Sequence, residues 1–235
     1  MVDLASYLDG SAFSADLAYS PQIIYRQQAR SDFLVACARG RRVLHLGFAD
    51  HLPLIAQRVR DGSWLHMQIA QAAQTCWGVD VNGAAVAAAQ GLGFGGIYAL
   101  DIFDEAAAAQ MAGWDVDLVL VPDVIEHLAC APALLRRLAQ LFAQAEMVLS
   151  VPNALSLRNA VHALRGVERI NTDHRVWYSP YTLQKTARDG GLQVDELSAC
   201  ALSAAGSVAG HLLRWACRAR PLWADCLVVR ARVMR

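Results

Sequence analysis

Four short apolar runs, each stopped by a glycine or an aspartate, constrain this chain more than any other feature. Val43–Leu46 stops at Gly47; "CWGVDV" (76–81) carries Asp80; "GIYALD" (96–101) ends on Asp101; "DVDLVLVPD" (115–123) ends on Asp123. Runs this short and this aliphatic read as strands buried on both faces. Helical stretches separate them: Trp64 to Gln74, the alanine-rich "NGAAVAAAQGLG", and "APALLRRLAQLFAQA", with Leu134, Leu135, Leu138, Leu141 and Phe142 at helical spacing. "EMVLSVPN" (146–153) reads as a fifth strand. Such alternation implies parallel β-α-β units in an open sheet with helices on both faces. Ligands of these sheets collect at the strands' carboxyl ends, where Gly47, Asp80, Asp101 and Asp123 all fall.

The flanks are less regular. Residues 20–40 suggest a helix with Ile23, Ile24, Phe33, Leu34 and Val35 inward, and Pro53 with a polar stretch precedes any clear helix after the first strand. Beyond Asn153, "ALSLRNAVHALRG" is helical and "VERINTDHRVWY" is polar and aromatic without a period. "SPYTLQKTARDGG" is a well-signalled helix, with Ser179 as N-cap, Pro180 in the first turn and Gly190–Gly191 as the stop. "LQVDELSAC" and "DCLVVRARV" read as two more strands. No linker or repeat breaks the chain, so 1–235 is read as one domain. Its first 40 residues are an N-terminal helical segment, and 154–178 form an insertion over the active end of the sheet.

The chain is 55% hydrophobic and 18% charged, which suits a sheet covered on both faces. Its net charge is zero, so no global electrostatic case exists for a nucleic-acid partner. Six cysteines form no C-x-x-C pair or zinc spacing and read as buried thiols of a reducing compartment. Asp3, Asp9 and Asp16 argue against a secretory signal, and a cytoplasmic protein is expected. Leu197–Leu213 is short for a bilayer span and reads as a strand plus part of a helix; Arg214, Arg218 and Arg220 leave open contact with a membrane surface or a partner. Composition says nothing of oligomeric state.

The cluster "GLGFGG" (91–96) leads from a helix into a strand, the wrong direction for a phosphate loop, and reads as a turn. Gly47 leads the right way. With Phe48 in the second position, however, the loop suits a cofactor without a pyrophosphate, gripped through acids. The two oxygens of Asp80 suit a ribose diol, against a helix-capping alternative.

"VLHLGFADH", "CWGVDVN", "IYALDIFD", "DLVLVPDVIEHL" and "EMVLSVPN", in this order, resemble the successive motifs of class I S-adenosylmethionine-dependent methyltransferases over residues 40–200. "LHLG", Leu65–His66, "PNALSLRN" and "DHRVWYSPYTL" (173–183) are most similar to methyltransferases of polysaccharide and glycan biosynthesis clusters. The resemblance implies an α/β, Rossmann-like, seven-stranded and mostly parallel sheet, with S-adenosyl-L-methionine as cofactor. It further implies that Gly47 and Phe48 line the methionine part, Asp80 holds the ribose and Val81 packs on the adenine. Asp101 and Ile102 would flank the adenine, and Asp123 would lie by the methionine end. The family's glycine-rich loop is reduced here to one glycine, and His45 stands where an acid often does.

Methyl transfer is an in-line displacement, largely a matter of positioning, and a hydroxyl acceptor also needs a base. His174, next to Asp173, and His127, after Glu126, are the candidate bases; Glu126 is a candidate substrate or cofactor ligand. Each also has a structural alternative, as does His66, read as structural. Trp177 and Tyr178 suit either stacking on a sugar or packing against the core. No metal site is expected: Asp101, Asp104 and Asp123 each have a simpler assignment. The expected activity is O-methylation of a sugar-containing or other small hydroxylated acceptor. The rivals are an inactive methyltransferase-like scaffold and, disfavoured by the missing glycines, a nicotinamide oxidoreductase.

Overall fold

In the computed structural model, which describes residues 4–202 and 208–234, the apolar runs lie side by side in an eight-stranded sheet. The first half of the chain supplies α1 (Leu4–Leu8), β1 (Ile24–Ala29), α2 (Arg30–Ala38), β2 (Arg42–Leu46), α3 (Leu52–Arg60), α4 (Leu65–Ala72), β3 (Thr75–Asp80), α5 (Gly83–Gly91), β4 (Ile97–Ala99) and α6 (Glu105–Ala112). The second half adds β5 (Leu118–Pro122), α7 (Ala131–Leu141), β6 (Glu146–Pro152), α8 (Leu157–Leu164), α9 (Pro180–Asp189), β7 (Leu192–Ala201), α10 (Val208–Ala219) and β8 (Cys226–Val233). Strand order is β1-β7-β8-β6-β5-β2-β3-β4. β8 runs antiparallel to β6 and β7, and every other pair is parallel.

The continuous apolar runs belong to the central strands because both of their faces are covered. Along β5, Leu118 and Leu120 enter one layer with Phe33, Leu34 and Ile69; Val119 and Val121 enter the other with Leu134, Leu135 and Leu138 of α7. α9 forms as its sequence signals: Ser179 and Thr182 make a reciprocal capping box, and Pro180 occupies the first turn. The 91–96 glycine cluster is the turn from α5 into β4.

Two expectations need correction. Residues 20–40 are not one helix: Ile24–Ala29 is an edge strand, which makes the sheet eight-stranded rather than seven-stranded. "IYRQQA" has no apolar run, and Ile24 is exposed. It becomes a strand because β7 offers an open edge, and Arg26 anchors it there through Glu196 and Ser198. Likewise a helix, α3, begins immediately before Pro53, with only Ile55 buried. The stretch Leu197–Leu213 runs from β7 into α10, and its residues 203–207 lie outside the described ones. Among the described residues, no helix is long and apolar enough to cross a membrane.

Candidate functional site

Strands β4, β3, β2 and β5 are consecutive neighbours, so their carboxyl ends make one rim. Asp80 is the last residue of β3; Gly47 and Asp123 directly follow β2 and β5; Asp101 lies just past β4. The four residues singled out by sequence position are therefore brought together along this rim.

Gly47 has φ +68°, a left-handed conformation that glycine adopts without strain. A Cβ there would come within 2.3 Å of Val124 Cγ2. The group that uses the bare glycine is thus the side chain just past β5. Asp80 Oδ2 accepts from the Ala49 N–H at 3.1 Å and Oδ1 from the Asn82 N–H at 2.8 Å. Burial raises its pKa, and these N–H groups oppose the rise. Each oxygen retains an acceptor site, which fits a ribose diol. Val81 and Phe103, beside the two acids Asp80 and Asp101, are exposed and fit the faces of a heterocycle.

Phe48 and Ile102 depart from the expectation that they line a ligand: they are 3% and 4% exposed. Phe48 lies among Trp64, His66 and Gly78, whose own missing side chain makes the room: a Cβ at Gly78 would sit 3.0 Å from Phe48 and 2.7 Å from His66. Ile102 belongs to the main core. Near these two positions, the groups left to face a ligand are backbone and the neighbouring Val81 and Phe103. His66 is buried and shares a 3.2 Å Nδ1···Nδ1 hydrogen bond with buried His45.

Asp123 is the one non-glycine residue with positive φ (51°) among the described residues, a conformation aspartate tolerates better than most. Its carboxylate pairs with Arg30, the first residue of α2, and accepts from Ser150 Oγ at 3.3 Å. Arg30 Nε is buried without a partner. No local pattern marks Arg30, because the strand that leads into it, Ile24–Ala29, carries no apolar run.

The adjacent pair Glu126–His127 and the distant His174 converge. Glu126 and His127 sit in a 3-10 turn, Ile125–His127, that follows β5. Arg175 N and Val176 N both donate to Glu126 O, at 2.8 and 3.2 Å, and Arg175 Nε donates to His127 O at 3.1 Å. These bonds hold the irregular part of the 154–178 segment against the turn and set the His174 ring edge-on to His127, centroids 4.7 Å apart. Glu126 is 1% exposed, and neither carboxylate oxygen has a partner. Desolvation, reinforced by Asp123, pushes its pKa up to about 8. Burial and the neighbouring His127 lower that of His174.

Other motif residues are architectural. Asn153, buried, donates to Leu222 O and Ala224 O at 2.8 Å each and accepts from Leu155 N at 3.0 Å, tying the exit of β6 to the segment before β8. A hollow of about 760 Å³ lies at the opposite end of the sheet. Its charges are spent on one another, Arg41 and Arg230 on Glu146, Arg42 on Asp117, and Arg232 on Asp195. We therefore place the site at the carboxyl rim.

The eight-stranded mixed sheet with helices on both faces is the Rossmann-like α/β fold that solved methyltransferases share. The chain belongs to the methyltransferase-domain family, whose model matches residues 27–197, from β1 into β7. Its cofactor is S-adenosylmethionine. No curated protein matches the sequence. Among solved structures, it is similar to magnesium protoporphyrin IX methyltransferase (ChlM) from Synechocystis PCC 6803 with bound SAH, at 18% identity over 87% of this chain and 82% of that one, TM-score 0.51. It is similar to the small RNA methyltransferase HEN1 at 18% identity over 88% of this chain and 25% of that one, TM-score 0.57. Mitomycin 7-O-methyltransferase MmcR shares 14% identity over 86% of this chain and 52% of that one, TM-score 0.51. At these identities the likeness establishes the fold.

Proposed function

We propose that the chain transfers a methyl group from S-adenosylmethionine to a hydroxyl of a small, sugar-containing acceptor, the substrate class of the glycan-cluster methyltransferases that its motifs resemble. The observation that carries this reading is the cluster of Glu126, His127 and His174 beside the rim that suits the cofactor. A sulfonium methyl needs no base of its own; a hydroxyl acceptor does. In this reading Asp80 holds the ribose, Asp101 meets the adenine amine, Val81 and Phe103 cover the ring, and Arg30 with Asp123 orient the amino-acid end. The acceptor oxygen attacks the methyl carbon, the C–S bond breaks with its electrons returning to sulfur, and the hydroxyl proton passes to the cluster. Leu155, Leu164, Val167 and Ile170, exposed on the 154–178 segment, offer apolar surface for the acceptor. Six free cysteines support a reducing, cytoplasmic setting.

A second reading, a fold that binds without catalysing, is favoured by Val124, whose side chain occupies the space that a Cβ at Gly47 would need. One experiment separates them. The purified chain is incubated with S-adenosylmethionine and pools of nucleotide sugars and glycosides, amines, or single-stranded RNA, and S-adenosylhomocysteine is measured. Release with the hydroxylated pool alone is expected. Release only with amines or RNA overturns the acceptor class, and cofactor binding without any release favours the binding module.

A further inference from the structure

We propose that Glu126, His127 and His174 form a binding site for one divalent transition-type cation of the zinc or manganese kind, their candidate donor atoms all lying within 4.8 Å of one another. The donors are provided twice over by the backbone. The turn after β5 presents Glu126 and His127 in succession, and the bonds from Arg175 and Val176 to Glu126 O bring His174 to the same point.

Their lone pairs are free of other work. Both Glu126 oxygens are buried and unpartnered, and so is His174 Nδ1. His127 Nδ1 lies 3.2 Å from Asp173 O. A donated N–H there fixes the tautomer and leaves Nε2 with its lone pair, the usual arrangement of a metal-binding imidazole whose far nitrogen meets a carbonyl. A carboxylate sunk this deep needs a positive partner or a proton. The nearby guanidinium, Arg30, is already paired with Asp123.

The donor set selects the ion. Two imidazoles and one carboxylate suit zinc, manganese, cobalt or iron(II), whereas calcium and magnesium prefer oxygen ligands throughout. An all-oxygen site at Asp101, Asp104 and Asp123 is disfavoured, since Asp104 caps α6 through Ala107 N at 2.8 Å and Asp123 is held by Arg30. Ligands of one tetrahedral ion lie about 3–4 Å apart, so rotation of the imidazoles closes the present spacing. Three protein ligands also leave a coordination position open, as catalytic rather than structural sites do. There such an ion would lower the pKa of an acceptor hydroxyl, whose proton would then leave to solvent instead of passing to the three side chains, because their lone pairs are committed to the ion. The site itself stands on the cluster's geometry; its use in methyl transfer rests on the reading proposed above.

The test uses the full chain stripped with EDTA and titrated with Co²⁺, read by visible d–d absorption, and with Zn²⁺, read by calorimetry. One equivalent of cobalt, displaced by zinc, is expected. Glu126→Gln and His174→Ala should each weaken binding about 100-fold. A parent-like circular-dichroism spectrum and a cooperative urea transition report that each variant is folded. Should Glu126→Gln fail to fold, His174→Ala, altered in an irregular and partly exposed segment, carries the test. The site is overturned if no stoichiometric binding occurs, or if either folded variant binds as the parent does. Metal binding without transfer to any hydroxyl upholds the site and overturns the acceptor reading; transfer without metal binding does the reverse.

Discussion

At the scale of single residues, the carboxyl rim was legible in the sequence because aspartates that stop apolar runs have few other places to go. What the sequence hid is which way neighbouring side chains turn. Phe48 and Gly47 are adjacent, yet Phe48 goes into the core while Gly47 stays on the rim, a choice made by the room at Gly78, thirty residues on from Phe48. Gly47→Ala is expected to destabilise for two separable reasons. Left-handed backbone costs alanine about 1–2 kcal/mol, and the contact with Val124 adds about 1–3 kcal/mol of overpacking. Val124→Ala should recover the second part and not the first, so a double-mutant cycle by urea unfolding is expected to show positive coupling; additive effects would show that Val124 is not the obstacle. Asp80 tests the rim's chemistry. Asp80→Ala should weaken S-adenosylmethionine binding by about 1–3 kcal/mol, since its oxygens would otherwise bond the ribose. Calorimetry giving the parent affinity would remove Asp80 from the cofactor site.

At the scale of elements, central strands are readable and edges are not. β5 is buried on both faces and shows it in five consecutive apolar residues. β1 is polar and owes its conformation to β7, so no local pattern announces it, and Arg30 at its junction with α2 is hidden for the same reason. The three-part cluster was half legible: Glu126 and His127 are neighbours in sequence, but His174 joins them only through the main-chain bonds of Arg175 and Val176. α9 was legible at both ends, and each end supports a prediction. Ser179→Ala removes the cap to Thr182 N and should cost about 1 kcal/mol. Gly190→Ala should cost more, about 1–3 kcal/mol, because its Cβ would lie 2.4 Å from Leu135 Cβ, where α9 is seated on α7. Urea midpoints in which the two substitutions rank the other way would mean that the contact with α7 relaxes easily.

At the scale of the whole molecule, the two ends of the sheet hold charge differently. The amino end pairs its charges among themselves, while the carboxyl rim keeps polar groups with unused valence. Between them, His45 of β2 and His66 of α4 are buried against each other, a polar contact in the middle of the fold. Desolvation holds the pKa of His66 down at about 4 and that of His45 well below 6.5, with repulsion between the rings adding to the effect at His45. Above pH 6.5 both are neutral, folded or unfolded, and their contribution is complete. As pH falls below 6.5 the unfolded chain takes up protons that the folded chain refuses, and stability declines by about 1.4 kcal/mol per pH unit for each histidine, until the folded pKa is passed. Glu126 works in the opposite sense: with a folded pKa of about 8, it gains a proton on acidification before the unfolded chain does, and this stabilises the fold. The raw pH profile mixes these effects, so the comparison that isolates the histidines is between the parent and His66→Gln, which keeps hydrogen-bonding capacity but does not titrate. At pH 7 the variant should be the less stable protein. The gap should narrow by about 2 kcal/mol between pH 6.5 and pH 5, because the parent alone loses the contribution of His66. A gap that stays constant over that interval would mean that the buried ring accepts a proton without cost, and that the contact between β2 and α4 is open to water.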